Sequence, residues 1–177
     1  MNKLKRIELL LNDSLYQEYM SYNEKEELEP KFCRHDITHH IDVARIAYIL
    51  VLEHSDLNFF VQENGLSSKL AAKEIIYAAG LLHDIGKWKE YQDGTDHASF
   101  GAKLAREILP RVYFNPKEID IIARAIYEHR NLSVDMSFLG ERIYRADNLA
   151  RVCLDCSYRH ECTKIENQEI NTSTFEY

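Results

Sequence analysis

Between Ser68 and His83 the chain reads Lys-Leu-Ala-Ala-Lys-Glu-Ile-Ile-Tyr-Ala-Ala-Gly-Leu-Leu, with apolar residues on nearly every side of a helix. A helix of that kind cannot lie on a surface, so other elements have to enclose it. Ser68 supplies a ready N-cap. The rest of the sequence offers helices for the enclosure. Residues 3–20 carry Leu4, Ile7, Leu10, Leu11 and Leu15 at helical spacing, and residues 35–54 carry Ile37, Ile41, Val43, Ala44, Ala47 and Leu50. A fourth helix is expected over 97–109, stopped by Pro110. A fifth opens with Pro116 in its first turn and runs to Glu128-His129, and a sixth covers 138–155. No segment alternates as a strand would, and six glycines and three prolines are few for a turn-rich β protein. The expected fold is an all-α, compact, single-domain helical bundle. Residues 1–30 form an N-terminal helical segment packed on the core, 31–165 the main domain, and 166–177 a polar tail.

Composition narrows the function classes. A hydrophobic share of 45% and a charged share of 29% fit an ordinary soluble domain. A formal charge of −7 argues against an extended nucleic-acid surface, although a bound cation can still create a local phosphate site. The basic start, Lys3-Leu4-Lys5-Arg6, leads into an apolar run that Asn12-Asp13 breaks too early for a signal peptide. A cytoplasmic protein with no membrane partner is the resulting expectation.

The polar residues that interrupt this apolar scheme carry the chemistry. His83-Asp84 ends the most apolar helix, where an ionised aspartate is costly unless paired or bound to a cation. His39 lies on the apolar side of the second helix, and Asp147 interrupts Ile143-Tyr144-Arg145-Ala146 before Leu149-Ala150. Each alone reads equally well as a helix cap or a satisfied core residue.

Together, His39, His83-Asp84 and Asp147 resemble the H…HD…D signature of the HD superfamily of metal-dependent phosphohydrolases. The local segments agree: His39-His40-Ile41-Asp42-Val43-Ala44, Gly80-Leu81-Leu82-His83-Asp84-Ile85-Gly86-Lys87, and Arg145-Ala146-Asp147-Asn148-Leu149. His97-Ala98-Ser99-Phe100-Gly101-Ala102 and Ile126-Tyr127-Glu128-His129-Arg130 resemble further histidine segments of its dinuclear branch. That branch includes cyclic-dinucleotide phosphodiesterases and symmetrical diadenosine-tetraphosphate hydrolases. The resemblance implies that His39, His83, Asp84 and Asp147 hold one metal, and that Asp84 bridges to a second held by His97 and His129. It also implies hydrolysis of a nucleotide-type phosphate ester or phosphoanhydride by a metal-activated water, with a nucleotide-like small molecule as the partner. Imidazole and carboxylate donors suit iron, manganese, cobalt or zinc. Lys87, three residues after Asp84, is the candidate to neutralise charge on the phosphoryl oxygens, and Arg130 is a second phosphate-binding candidate. The sequence departs from the diadenosine-tetraphosphate hydrolases after Asp147, where Asn148-Leu149-Ala150 replaces their Glu-Pro. It also lacks the Gly-Tyr-Pro segment of the cyclic-di-GMP branch. The alternative function is a catalytically silent metal- or nucleotide-binding regulator on the same fold.

The cysteines suggest a second site. Cys153, Cys156 and Cys162 follow Asp147, and Cys33 precedes His39 by six residues as Cys153 follows Asp147 by six. On antiparallel helices that meet at one metal, these offsets, about 9 Å each, lead in the same direction. Four thiolates for structural zinc or an iron–sulfur cluster then compete with the plainer reading of small buried residues. Asp155 and His160 are spare ligands. Of the other histidines, His35 lies four residues before His39 and is placed as an outer partner, or a holder of Asp147. His40 and His54 are expected at the surface or an edge.

Overall fold

The computed structural model describes residues 3–27, 34–130, 133–151, 153 and 156–162. Among them it contains nine α-helices and no strand, an all-helical fold as the hydrophobic pattern predicts. The helices are α1 (Lys5–Leu11), α2 (Ser14–Glu26), α3 (Ile37–Glu53), α4 (Leu57–Glu63), α5 (Lys69–Leu82), α6 (Lys87–Asp93), α7 (His97–Ile108), α8 (Pro116–Glu128) and α9 (Phe138–Leu149). None of them is long and apolar enough to cross a membrane.

Helix α5 occupies the centre, with Ile75, Ile76, Ala78, Ala79 and Leu82 sealed from solvent. It packs on α3, α8, α4, α1 and α9, while α7 lies along α8 and α9 closes against α3 and α8. Gly80 sets the α3–α5 distance. A Cβ there would lie 2.5 Å from the Cα of Ala44 and 2.7 Å from its backbone nitrogen. Gly86 does the same for the turn after α5, where a Cβ would come within 2.8 Å of the Gly101 nitrogen on α7.

Side-chain caps fix the helix starts. Asp36 accepts from the backbone of Thr38 and His39, Ser68 from Ala71, Asp96 from Ser99, and Ser137 from Gly140. Asn115 and Glu118 form a reciprocal capping box behind Pro116.

Several expectations need correction. The continuous helix over 3–20 is two helices, because Asp13 accepts from Leu15 and Tyr16 and starts α2 anew. Helices α4 and α6 were not foreseen. The last helix ends at Leu149 rather than 155. At the N-terminal end, Arg6 bridges the otherwise buried carboxylates of Glu74 on α5 and Glu118 on α8, each at 2.7 Å. That ion triad anchors α1 to the bundle.

Candidate metal centre

Helix termini gather the polar residues at one place. His39 sits in the first turn of α3, directly behind the Asp36 cap. His83 terminates α5, with Asp84 following in the turn, and His129 terminates α8. His97 is the first residue of α7, and Asp147 lies in the last turn of α9. All six are buried or nearly so.

Their donor atoms form two groups that share Asp84. In one, single ligand atoms of His39, His83, Asp84 and Asp147 all lie within 4.8 Å of one another, and in the other those of Asp84, His97 and His129 do. Nε2 of His83 is 3.2 Å from Oδ2 of Asp84, whereas Nε2 of His97 is 3.0 Å and Nε2 of His129 3.5 Å from its Oδ1. Nε2 of His39 approaches Oδ1 of Asp147 at 3.1 Å.

The second ring nitrogens are pinned from behind. Nδ1 of His83 donates to the Gly80 carbonyl at 2.7 Å, and that of His129 to the Ile126 carbonyl at 2.6 Å. Nδ1 of His97 lies 2.6 Å from a Glu90 oxygen. A carbonyl can only accept, so these contacts fix the tautomer and turn a lone pair on Nε2 toward the centre. There it meets carboxylate oxygens, which are acceptors as well. Nε2 of His39, Nε2 of His83 and Oδ1 of Asp84 are all buried without a hydrogen-bond partner. Nε2 of His97 and Nε2 of His129 stand only 3.3 Å apart. Acceptors facing acceptors out of water need a cation between them, either a metal ion or a proton carried by an imidazole. Rings oriented by an outer partner with inward-facing nitrogens are the arrangement a divalent metal requires. The donor set therefore fits metal.

The electrostatics agree. Burial alone would raise the Asp84 carboxyl, but the neighbouring imidazoles, His83 first and then His35 and His129, hold it well below the ordinary range. Asp147 is likewise held low against burial by the Arg151 guanidinium, with His39 and His83 adding to the effect. Nη2 of Arg151 touches both Asp147 oxygens, at 2.8 and 2.9 Å. Burial lowers His83, yet Asp84 and Asp147 outweigh it and bring the imidazole up to about 10.

The sequence profile of the HD domain matches residues 36–152, a span containing all six donors. The chain belongs to the HD domain family. An uncharacterised protein of Clostridium beijerinckii is 39% identical over 157 residues, covering 89% of this chain and 90% of the relative. The bifunctional uridylyltransferase/uridylyl-removing enzyme of Bradyrhizobium diazoefficiens is 31% identical over 90 residues, 50% of this chain and 9% of that enzyme. Ribonuclease Y of Lactobacillus gasseri is 29% identical over 114 residues, 64% of this chain and 17% of that enzyme. The chain thus spans only a small part of the two enzymes. No solved structure matches it. Family membership and the His/Asp cluster together support metal-dependent phosphohydrolase chemistry in general.

Around this HD domain centre, Lys87 and Arg130 converge on Glu90. Nζ of Lys87 is 2.7 Å and Nη2 of Arg130 3.1 Å from its carboxylate, and Arg130 also reaches Asp96 at 2.6 Å. Lys87 is the first residue of α6. His35 faces Oδ2 of Asp84 at 3.7 Å rather than holding Asp147, which Arg151 holds instead. His40 is fully buried, contrary to its expected edge position, and donates to the Leu81 carbonyl at 2.7 Å. Burial lowers it to about 3. His54 is exposed as expected.

Sequence reasoning missed Glu90, Arg151, Glu27 and Asn23. Asn23 is buried on α2 and spans the turn after His83, giving its amide to the Asp84 carbonyl and accepting from the Trp88 nitrogen. Only Arg151 carried a readable signal, lying four residues after Asp147.

The cysteine expectation fares differently. Cys33 and Asp155 lie outside the described residues. Among the described residues, Cys153 is buried, Cys156 and Cys162 are half-buried, and none of them joins a group of metal-ligating donors. His160 is exposed in a 3-10 turn. Helix α9 ends four residues before Cys153, so the helical offset that related Cys153 to Asp147 does not hold.

Proposed function

We propose that this HD domain chain is a phosphohydrolase that cleaves a nucleotide-type phosphate ester or phosphoanhydride at a centre of two divalent cations. The observation that carries the reading is the sharing of Asp84: its two oxygens face separate sets of buried imidazoles. His39, His83, Asp84 and Asp147 would hold one ion, and Asp84, His97 and His129 the other. Iron, manganese, cobalt and zinc all suit these donors. When bound, such ions supply an activated water and positive charge for phosphoryl oxygens.

The chain's own residues prepare the rest. The carbonyls of Gly80 and Ile126 and the Glu90 carboxylate hold three imidazoles in their ligating tautomer. Lys87 and Arg130 place two positive charges around the single carboxylate of Glu90, beside His97. Arg130 is also paired with Asp96, so the two cations are balanced by two carboxylates and are held in place beside His97, where a phosphate could exchange for either partner.

The substrate class draws support from the relatives. One relative is by name a uridylyl-removing enzyme and another a ribonuclease, and a nucleotide-type substrate for this chain is in keeping with both. Within that class the motifs stand nearest the dinuclear branch that includes the symmetrical diadenosine-tetraphosphate hydrolases. The Asn148-Leu149-Ala150 segment separates the chain from those enzymes in detail.

The test is hydrolysis of mononucleotides, dinucleoside polyphosphates and short phosphodiesters, read by chromatography of the nucleotide products, by protein loaded with manganese, iron, cobalt or zinc. Turnover of at least one class, lost on chelation and restored by metal, is expected. Metal-loaded protein inert toward the whole panel would contradict the proposal and favour a silent regulator.

A further inference from the structure

His35 lies outside the H…HD…D pattern and just before α3, yet the fold directs it into the centre. Glu27, at the end of α2, grips it at two points. One carboxylate oxygen accepts from the His35 backbone nitrogen at 2.8 Å, and the other meets Nδ1 at 2.6 Å. The Tyr91 hydroxyl on α6 donates to the same Glu27 oxygen at 2.8 Å and lies 3.3 Å from Nδ1. Both side chains of the His35–Glu27 pair are only 9% exposed, so the imidazole has one available orientation.

An ionised carboxylate can only accept, so Nδ1 carries the proton and Nε2 turns a lone pair inward. That nitrogen stands 3.7 Å from Oδ2 of Asp84, the oxygen that also faces His83. The distance is too long for a hydrogen bond. It does match two donors on one ion: with metal–ligand bonds near 2.1 Å, equatorial donors of a five-coordinate site stand about 3.6 Å apart. The separation of His129 from Asp84, 3.5 Å, is of the same kind. His35 with Glu27 also repeats the arrangement of His97 with Glu90, in which a carboxylate 2.6 Å from Nδ1 leaves Nε2 toward Asp84.

We propose that His35 is a further ligand of the metal centre, completing the ion that His83 and Asp84 hold, and that Glu27 and Tyr91 lock it in place. This rests on the metal-centre reading above. Its consequence is a protein ligand contributed by the α2–α3 connection, so docking of α2 controls how one ion is coordinated.

The test uses the full-length chain loaded with cobalt(II), in which each metal-bound imidazole gives a paramagnetically shifted, exchangeable N–H proton resonance. The wild type should show one such signal for each of His35, His39, His83, His97 and His129. His35→Ala should lose one signal and weaken cobalt binding at one site by more than the roughly 10- to 100-fold that loss of an outer partner such as Glu27 costs. Glu27→Gln should keep the signal count with weaker binding, as expected of a positioning residue. If His35→Ala keeps every shifted signal, His35 is not a ligand and the metal centre stands without it. If the variant fails to fold, the wild-type spectrum still decides, because a spectrum accounted for by His39, His83, His97 and His129 alone overturns the proposal. A wild type that takes up no cobalt overturns the metal centre, and the role of His35 with it.

Discussion

Nε2 of His97 lies 3.0 Å from Oδ1 of Asp84, on the carboxylate oxygen that His83 does not face. Helix α7 thus brings its first residue to one side of a carboxylate whose other side is completed by α5. The two sides should be separable. His97→Ala is expected to cost the ion shared with His129 while leaving the one held with His39, His83 and Asp147. Elemental analysis after gel filtration checks this, and equal loss of both ions would show that Asp84 does not divide the centre in two.

Proton linkage gives a second expectation. With no cation bound, the carboxylates of Asp84 and Asp147 raise His83 from an ordinary value of 6.5 to about 10. A folded value above the unfolded one stabilises fully below about pH 6.5, and the contribution is lost as pH rises through about 10. A metal takes the place of that proton. Metal binding below about pH 10 should therefore release a proton from His83, and affinity should fall as pH is lowered. Calorimetry of manganese binding in buffers of different ionisation enthalpy measures the release; a buffer-independent heat would contradict it.

The Lys87–Glu90–Arg130 arrangement predicts a split between binding and turnover. Lys87→Ala should lower kcat/KM by about 100- to 1000-fold, the range for losing one donor to a developing charge, with bound metal unchanged. Steady-state kinetics alongside metal analysis tests this. Loss of metal with activity would make Lys87 a support for His97, whose Nδ1 lies 3.4 Å from its amine.

Gly80 makes a prediction about packing. A Cβ 2.5 Å from the Ala44 backbone forces α3 and α5 apart, and overpacking of this kind costs about 1–3 kcal/mol. Because His39 and His83 ride on those helices, Gly80→Ala should lower both the melting temperature and metal affinity. Chemical denaturation and metal titration would show it; an unchanged midpoint would mean that the contact relaxes freely.

Much of the fold could be read directly because its apolar positions are periodic. The all-apolar run of α5 required enclosure, and Ser68 and Pro116 mark helix starts that a cap and a proline announce. His39, His83-Asp84 and Asp147 stood out for a related reason, as polar residues that interrupt apolar segments, whereas His97 and His129 entered only through the resemblance to the HD superfamily. What could not be read lies in the short helices. Helix α6, Lys-Trp-Lys-Glu-Tyr-Gln-Asp, has no fully buried residue and so no period to detect, yet it supplies Lys87, Glu90 and Tyr91. The break at Asp13 was hidden because Leu11 and Leu15 continue the apolar spacing across it. Partners such as Glu27 for His35 and Asn23 for the Asp84 turn are set by tertiary docking of α2, for which local sequence carries no mark.

The central claim is that the buried histidines and aspartates form a two-metal centre. The most direct measurement is metal content by elemental analysis of the protein, as purified and after incubation with manganese or iron followed by desalting. Two ions per chain are expected, one for each donor group sharing Asp84. A chain that carries no metal as purified and regains none on incubation would contradict the account.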